Sequence, residues 1–361
     1  MSSTLGTDSL RPLARARSSN LPSPQRALQW LLALPEGIGA AILVVTAFSL
    51  TVLSIAFVYE APLTIPRERV SVALGYSAVF PVIGAMAIYI LFRAARVVLR
   101  RTRPGDPPLA QMIAVDITFM CLFLAATYFH FSLKTWVQII NPALYDDHYI
   151  RLDRSLQPVI DLFYWIRATY FTAVVNTDDW YQAAFLLMFI SGFCTFAVTR
   201  NAVYPRFCLG VLLTMSLGAL SYMVAPALGP FLFEEGLNEK ATNAQAGMLW
   251  AHQQVKQRGM EWIAEAGHSY FTGALAAMPS LHIAHAVVMT WFVVQARSML
   301  LSLFLPIGFW VIIESVASRW HYLIDLPIGA LLAVFIIWLT HRLVPLPRHR
   351  KVGSKRHQAW I

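Results

Sequence analysis

Charged side chains are scarce in this sequence. Only 13% of its 361 residues are Asp, Glu, Lys or Arg, against about 25% in an ordinary soluble domain. Hydrophobic residues make up 57% of the chain. With so few charges to cover a water-exposed surface, the composition excludes an ordinary water-soluble fold.

Cysteine is also scarce, and regular alternation of apolar and polar residues is missing. The three cysteines, Cys121, Cys194 and Cys208, lie inside apolar runs, which indicates packing rather than a disulfide framework. Without sustained alternation the sequence has no pattern of β-barrel strands. It also shows no internal repeat or low-complexity tract, so we predict one membrane domain with a short tail at each end.

Long apolar runs, in contrast, are abundant. A helix needs roughly 20 apolar residues to cross a hydrocarbon core of about 30 Å. Eight candidate spans are Gly37–Tyr59, Val72–Phe92, Gln111–Phe131, Tyr181–Thr199, Phe207–Pro226, Pro279–Ala296, Leu301–Ser318 and His321–Thr340. We therefore predict an all-α integral membrane protein with about eight transmembrane helices.

The basic residues fall on one side of the membrane if the chain crosses it eight times. They cluster in residues 11–26, 93–103 and 342–356, and in the loops that contain Arg200, Arg206 and Arg297. The positive-inside rule then places both termini in the cytoplasm. We attribute the net charge of +9 to this membrane topology and predict a protein of the cell (plasma) membrane. No nucleic-acid partner is expected.

Two outer segments are too long to be simple turns. Residues 132–180 contain apolar positions that share one helical face: Leu152, Leu156, Val159, Ile160 and Phe163. This spacing predicts a helix in the membrane interface, which either roofs a site open to lipid or only covers loop ends. The second segment, residues 231–278, is mixed and polar and returns the chain to the outer end of the sixth span.

The outer end of the sixth span reads Ala-Met-Pro-Ser-Leu-His over residues 277–282. Pro279 at a first helical position costs nothing, because its missing amide would have no partner there. Free amides of Ser280 and Leu281 at the positive end of the helix dipole then favour an anion such as phosphate, with His282 beside it. A plain capping role for Ser280 is an equally open interpretation.

The outer end of the eighth span reads Ser-Arg-Trp-His-Tyr-Leu-Ile-Asp over residues 318–325. His321 and Asp325 are four positions apart on the predicted helix, so the carboxylate can hydrogen-bond one imidazole nitrogen and leave the other free as a nucleophile. An ionisable residue in a membrane helix is costly without a partner. Since the charge pattern puts His282, His321 and Asp325 on the same side, we predict that these three form a catalytic site.

Two other interpretations stay open. Two histidines and one aspartate are a zinc-ligand set that leaves a position for water, although no fourth ligand is evident from the spacing. Asp116 in the third span and Glu314 in the seventh suit either the ion path of a transporter or polar packing between helices.

The two motifs together, at residues 279–282 and 321–325, resemble those of the type 2 phosphatidic acid phosphatase superfamily. They look most like its branch of inositol phosphorylceramide synthases and bacterial relatives. The resemblance implies a six-helix catalytic core over residues 109–342, preceded by two additional transmembrane helices within 37–108. The flanking residues 1–36 and 343–361 are then basic cytoplasmic tails, the first of them disordered.

The resemblance also implies a metal-independent double displacement without a cofactor, on a lipid phosphate or phosphodiester at the non-cytoplasmic face. His321 would attack phosphorus, Asp325 would orient His321, and His282 would protonate the leaving oxygen. Expected substrates are phospholipids or isoprenoid phosphates in the bilayer. Phosphatase and phosphotransferase chemistry are not distinguished by these residues.

One departure from the family pattern concerns positive charge. The soluble and classical lipid phosphatase members carry an arginine six residues before the second histidine, where this chain has Ser315. They also carry a lysine and an Arg-Pro pair, which residues 222–230 lack. Phosphoryl transfer still needs cations around the phosphate oxygens. The outer cations are Arg319, Lys256, Arg258, Lys240 and Lys134. Arg319 is the first choice by proximity, and we predict Ser280, Arg319, Arg258 and Lys256 as substrate-binding residues.

Overall fold

The computed structural model describes residues 37–66, 79–98, 108–171, 180–271, 273–274 and 276–345, together with residue 34. Within these ranges the chain forms eleven α-helices and no strand. They are α1 Ile38–Val58, α2 Val79–Val98, α3 Leu109–Ile140, α4 Asp146–Ser155, α5 Gln157–Ile166, α6 Trp180–Thr199, α7 Tyr204–Ser221, α8 Glu239–Ala266, α9 Leu281–Gln295, α10 Leu301–Ala317 and α11 Asp325–Leu343. The predicted all-helical fold class is confirmed.

Five helices are long and apolar enough to cross a membrane by length and composition: α1, α3, α6, α7 and α11. Helices α9 and α10 are apolar but shorter, and α2 contains the apolar segment Met86–Ala95. Each of the eight predicted spans therefore coincides with an apolar helix, as expected of a multi-pass membrane protein. Residues 72–78 of the second predicted span, residues 346–361 and most of residues 1–36 lie outside the described ranges.

Helix α3 extends well beyond its predicted end at Phe131. It has 32 residues and is about 48 Å long at 1.5 Å per residue, which exceeds a hydrocarbon core of about 30 Å. The additional turns are not solvent-exposed, since Leu133 and Trp136 are buried. They carry Lys134 to the end of the bundle where the two histidine motifs lie.

The helix ends that were predicted to face outward meet at one end of the bundle, which we call the site end. Backbone hydrogen bonds join them: Tyr145 to Pro226 (3.0 Å), Ala277 to Ala227 (2.8 Å), Leu237 to Ala317 (2.8 Å) and Ser280 to Asp325 (3.2 Å). At the opposite end, Gly37 lies against Val344, and Arg206 Nε donates to the Val344 carbonyl at 2.7 Å. The start of α1 therefore lies beside the end of α11, as an even number of membrane crossings requires.

The interface helix predicted in residues 132–180 is two helices rather than one. Helix α4 ends at Ser155 and α5 begins at Gln157, because Pro158 in its first turn cannot donate an amide to the preceding turn. Ile160 is buried, while Leu152, Leu156 and Val159 are each about two-fifths exposed. Asp153, which is not one of these apolar positions, is also buried.

The two intramembrane carboxylates are both engaged in polar packing between helices. Asp116 forms an ion pair with Arg93 and accepts hydrogen bonds from Tyr89 (2.6 Å) and Tyr204 (2.9 Å). Glu314 accepts hydrogen bonds at 3.1 Å from Arg167 and at 2.6 Å from both Asn238 and Ser318. These partners account for both charges inside the bundle without an ion path.

Candidate active site

His321 lies in the loop between α10 and α11, and its ring is held by one edge. Nδ1 is 2.9 Å from the carbonyl oxygen of Ala277 and 3.3 Å from Oδ2 of Asp325. A carbonyl oxygen can only accept, so Nδ1 must carry the hydrogen. The neutral ring then keeps its lone pair on Nε2, as a nucleophile requires.

The spacing predicted that His321 and Asp325 lie on successive turns of one helix. Asp325 is instead the first residue of α11, and a tight turn before the helix brings it to His321. Oδ2 accepts the Tyr322 amide at 2.9 Å, and the Asp325 amide donates to the Tyr322 carbonyl at 3.0 Å. This tight turn brings the carboxylate under the imidazole. Oδ1 is buried and has no hydrogen-bond partner in the described chain.

The loop that carries His321 begins with a backbone cap on α10. The amides of Trp320 and His321 both donate to the Ser315 carbonyl at 3.1 Å. Arg319 has a φ of 55° at the position that glycine usually fills in such a cap. That left-handed conformation costs an L residue about 1–2 kcal/mol, so the side-chain contacts of Arg319 must hold the loop in place.

His282 lies in the first turn of α9 and faces His321. The two ring centroids are 6.0 Å apart. On its other sides the His282 ring contacts Phe185 at 4.6 Å and Tyr181 at 5.0 Å between centroids, both from α6. Three separate helix ends therefore place two imidazoles around one space.

Ser280 is the N-cap of α9, so Pro279 precedes the helix instead of occupying its first position. The Ser280 hydroxyl accepts the Ile283 amide at 3.5 Å, which confirms the capping interpretation. The Ser280 amide, expected to be free, donates to the Asp325 carbonyl at 3.2 Å. This bond forms because Gly329 lets α11 pass close to the Ser280 backbone: a Cβ at Gly329 would lie 2.4 Å from the Ser280 carbonyl oxygen.

Lys134 brings positive charge to the same region from α3. Its Nζ lies 5.5 Å from the centroid of the Tyr222 ring, and its charge acts on both His282 and His130. Within the described chain Lys134 has no carboxylate partner and no hydrogen bond. The Tyr181 hydroxyl, on a ring that contacts His282, is also buried without a hydrogen-bond partner there. The site thus holds two donors without a protein acceptor.

Arg319 is fully buried and enclosed by carboxylates. Its Nη1 is 3.2 Å from Asp153 Oδ2, and its Nη2 is 3.1 Å from Glu234 Oε2. Asp153 also accepts the Leu323 amide at 2.9 Å. Burial raises the pKa of the Asp153 carboxyl above its ordinary value, and the Leu323 hydrogen bond and the Arg319 charge counter that shift.

A second carboxylate of α4, Asp146, fixes the other half of the same loop. It accepts the amides of Leu228 and Gly229 at 2.9–3.0 Å and the Tyr322 hydroxyl at 2.7 Å. Burial, with the charge of Asp146, raises the pKa of Tyr322 above its ordinary value, so this hydroxyl stays protonated and donates. Helix α4 therefore clamps the loop on both sides of His321 with two carboxylates seven residues apart.

The structure brings together only some of the predicted site residues. His321, Asp325, His282 and Ser280 adjoin one another, and Arg319 belongs to the same loop. Arg258 forms ion pairs with Glu265 and Glu261 on α8. Neither Arg258 nor Lys256 hydrogen-bonds or ion-pairs with the motif residues in the described chain. Among the described residues, no three His, Cys, Asp or Glu side chains form a metal-binding group.

Comparison with known proteins agrees with the two motifs. A family model of the PAP2 superfamily matches residues 148–339, more than half of the chain. The chain belongs to the PAP2 superfamily. This superfamily comprises phosphatases and phosphotransferases, so membership indicates an enzyme with a phosphatase-type lipid phosphate function. Both histidine motifs lie inside the matched range, whereas α3 and Lys134 precede it. No curated protein and no solved structure matches this PAP2 chain significantly.

Proposed function

We propose that this PAP2 protein transfers or removes a phosphoryl group on a lipid phosphate or phosphodiester through a phosphohistidine at His321, without a metal. The geometry of His321 supports this most directly: its Nδ1 hydrogen is held by Ala277 and Asp325, which leaves Nε2 available to attack. His282 lies across the site at 6.0 Å between ring centroids, where one phosphoryl group can contact both rings.

In the first step, Nε2 of His321 forms a bond to phosphorus while the ester oxygen of the lipid leaves. Asp325 stabilises the positive charge that develops on the imidazole, because its Oδ2 faces Nδ1. His282 donates a proton to the leaving oxygen. General acid catalysis of this kind contributes typically 10²–10⁴-fold to a rate.

In the second step, an oxygen nucleophile attacks the phosphohistidine and His282 accepts its proton. Water as nucleophile makes the protein a phosphatase, and a lipid alcohol makes it a transferase. We favour the inositol phosphorylceramide synthase-like branch, because Ser315 replaces the family arginine and residues 222–230 carry no lysine or Arg-Pro pair. The substrate is then a phospholipid or isoprenoid phosphate in the bilayer.

In this proposal Lys134 neutralises the negative charge of the phosphate, in place of the arginine that this chain lacks. Its ammonium has no acidic partner in the described chain and interacts electrostatically with His282. Lys134 is half-buried. A cation inside the bundle without a counter-ion is costly, and a bound phosphate would supply one. Arg319 already forms ion pairs with Asp153 and Glu234, although its buried Nε has no hydrogen-bond partner in the described chain. Substrate binding by Arg319, Ser280, Arg258 and Lys256 stays a prediction.

The site end faces the non-cytoplasmic side of the cell membrane in this proposal. The basic residues Arg200, Arg206 and Arg297 lie in or next to loops at the opposite end of the bundle, where Arg206 hydrogen-bonds the Val344 carbonyl. The positive-inside rule then places both chain termini in the cytoplasm. A substrate headgroup would reach His321 from the outer leaflet.

The proposed function is tested with detergent-purified protein in excess EDTA, by the release of phosphate from lipid monoesters and diphosphates and of the headgroup phosphate from phosphodiesters. The panel is phosphatidic acid, an isoprenoid diphosphate, and inositol and glycerol phospholipids, with and without a ceramide or diacylglycerol acceptor. We expect the wild type to turn over at least one lipid and to form an acid-labile, base-stable phosphoenzyme. His321→Ala should abolish both.

His148→Ala is the matched control, because His148 is an exposed histidine on α4. It should retain wild-type turnover. Turnover that survives in His321→Ala would refute the phosphohistidine, and turnover lost only on chelation would support the zinc alternative. Lipid or ion flux in proteoliposomes without chemical change would support the transporter.

A further inference from the structure

We infer that an apolar cavity beneath the histidines binds the hydrocarbon tail of the lipid whose phosphate lies at His321. This inference rests on the proposed function and adds where the tail goes. The cavity, which we call the tail cavity, lies between α2, α3, α6 and α7. Its volume is about 170 Å³, and it opens at one side.

The lining of the tail cavity fits a hydrocarbon chain and little else. Its polar side chains are one tyrosine and two cysteines, Tyr89, Cys194 and Cys208. The Tyr89 hydroxyl is already bonded to Asp116 at 2.6 Å, and thiols behave as weakly polar groups. The remaining lining residues are aliphatic, aromatic or methionine side chains. None of the lining side chains in the described part of the chain is charged, which argues against a headgroup there.

A chain of aromatic contacts connects the tail cavity to the candidate active site. Phe189 lines the cavity and packs against Phe185 at 5.0 Å between centroids. Phe185 contacts His282 at 4.6 Å. The four-residue step from Phe185 to Phe189 is about 6 Å along α6. The tail cavity therefore begins about one helical turn from His282, and the rings between them along α6 are apolar.

One wall of the tail cavity comes from helices that precede the range matched by the family model. Met86 and Tyr89 belong to α2, and Met120 and Phe123 to α3. All four precede residue 148, where the family match begins. Helix α2, one of the two additional helices, thus closes together with α3 a space that the matched region would leave open to lipid.

The tail cavity is expected to select a tail by its shape rather than to provide much affinity. Bilayer hydrocarbon is as apolar as leucine, so a tail gains little hydrophobic free energy on moving from the bilayer into the cavity. Close packing against a fixed wall still distinguishes chains, because dispersion contacts fall off within about 1 Å. A bulky side chain in the cavity should therefore exclude a long tail sharply.

The test uses a single-chain alkyl phosphate with a photoreactive diazirine at the end of its tail. Purified wild type is irradiated with this probe and the labelled residues are mapped by mass spectrometry. Ile190→Trp and Met120→Trp fill the tail cavity from α6 and α3. Leu187→Trp and Ile117→Trp are the matched controls, because these residues are exposed on the same two helices and do not line the cavity.

We expect labels on the cavity walls of wild type and both controls. Labelling should fall about tenfold in the two cavity variants, which corresponds to about 1.4 kcal/mol. Unlabelled alkyl phosphate should compete, whereas the alcohol of the same length should not. Labels spread over the lipid-facing surface, equal labelling in all variants, or equal competition by the alcohol would overturn the inference.

Turnover of the same alkyl phosphate is measured in parallel, so that two failures can be told apart. Turnover with labels outside the tail cavity would refute the tail site and leave the proposed function intact. Labels in the cavity without turnover of any phosphate lipid would contradict the proposed chemistry while supporting the tail site. Size-exclusion profiles of all four variants show whether each is folded.

Discussion

The two histidines are held in different ways, and the difference matches the roles proposed for them. His321 is fixed through Nδ1 by Ala277 and Asp325. His282 makes no hydrogen bond in the described chain and is packed only by rings. A nucleophile gains from a fixed orientation, because misplacement by about 1 Å can cost about 10²-fold in rate. A proton carrier must instead reach first the leaving oxygen and then the attacking oxygen, which both lie on the side of phosphorus opposite His321.

Lys134→Ala tests the cation of the site. It should lower kcat/KM about 10–100-fold, because a hydrogen bond to a charged group is worth about 1.5–3 kcal/mol. Lys134→Arg should recover part of the loss. Arg151→Ala is the control, since Arg151 is an exposed cation on α4. Steady-state kinetics and inhibition by inorganic phosphate measure the effect. Equal losses in Lys134→Ala and Arg151→Ala would remove Lys134 from phosphate binding.

Asp325→Asn tests the carboxylate that faces His321. The amide keeps the size of the side chain and can still accept the Tyr322 amide, but it removes the negative charge. We expect kcat to fall on the order of 10²–10⁴-fold with little change in KM, as in hydrolases whose orienting aspartate becomes asparagine. Asp147→Asn, at an exposed position on α4, should be neutral. A rise in KM at constant kcat would contradict the orienting role.

At the same residue scale, sequence spacing found one partner of His321 and missed another. Asp325 was predicted from its separation of four residues, although the contact comes from a turn. Ala277 is 44 residues away in sequence and accepts the bond through its backbone carbonyl. Because the side chain of Ala277 takes no part in this bond, the sequence pattern could not predict it. Arg319 was preferred by proximity in sequence, but burial and Asp153 decide where its guanidinium lies.

At the scale of elements, the apolar spans were predictable and the outer helices were less so. Helix α8 fills much of a segment that was read only as mixed and polar. Its signals were present: Asn238 caps Ala241 at 2.7 Å, and Ala244, Met248, Ala251 and Val255 repeat at helical spacing and are buried. Pro158 was the sequence signal for the break between α4 and α5.

The close approach of Gly329 on α11 to Ser280, the N-cap of α9, gives a prediction about stability and activity. In Gly329→Ala the new Cβ would lie 2.4 Å from the Ser280 carbonyl oxygen, so one helix must shift. Overpacking costs about 1–3 kcal/mol of stability, and moving Ser280 relative to Asp325 should lower activity at least tenfold. Thermal denaturation in detergent and lipid turnover measure the two effects.

Gly308→Ala on α10 is the matched control for that change. A Cβ at Gly308 has nothing within 4 Å. Alanine also favours a helix over glycine by about 1 kcal/mol. Gly308→Ala should therefore be neutral or slightly stabilising, with full activity. If Gly329→Ala behaved in the same way, the close approach of the two helices would not position the site.

At the scale of the whole molecule, the helices before the proposed core are packed into the bundle, as α1 shows. Ala41 and Val52 of α1 are fully buried, and Val52 belongs to one apolar cluster with Leu133 and Trp136 of α3. Helix α7 packs against α1, α3, α9 and α11 at once. Hydropathy located α1 as a span, but its central packing depends on contacts that only the folded bundle defines.

The last prediction concerns how the bundle sits in the membrane. In a cysteine-free background, Glu235→Cys places a thiol at the site end, and Met299→Cys places one at the opposite end in the loop before α10, where Met299 is 92% exposed. A membrane-impermeant maleimide should label Glu235→Cys in intact cells. It should label Met299→Cys only after permeabilisation, because that end carries the basic loops. The reverse pattern would place the histidines in the cytoplasm and exclude outer-leaflet headgroups as substrates. Labelling of both in intact cells would contradict a bundle whose two ends face opposite sides.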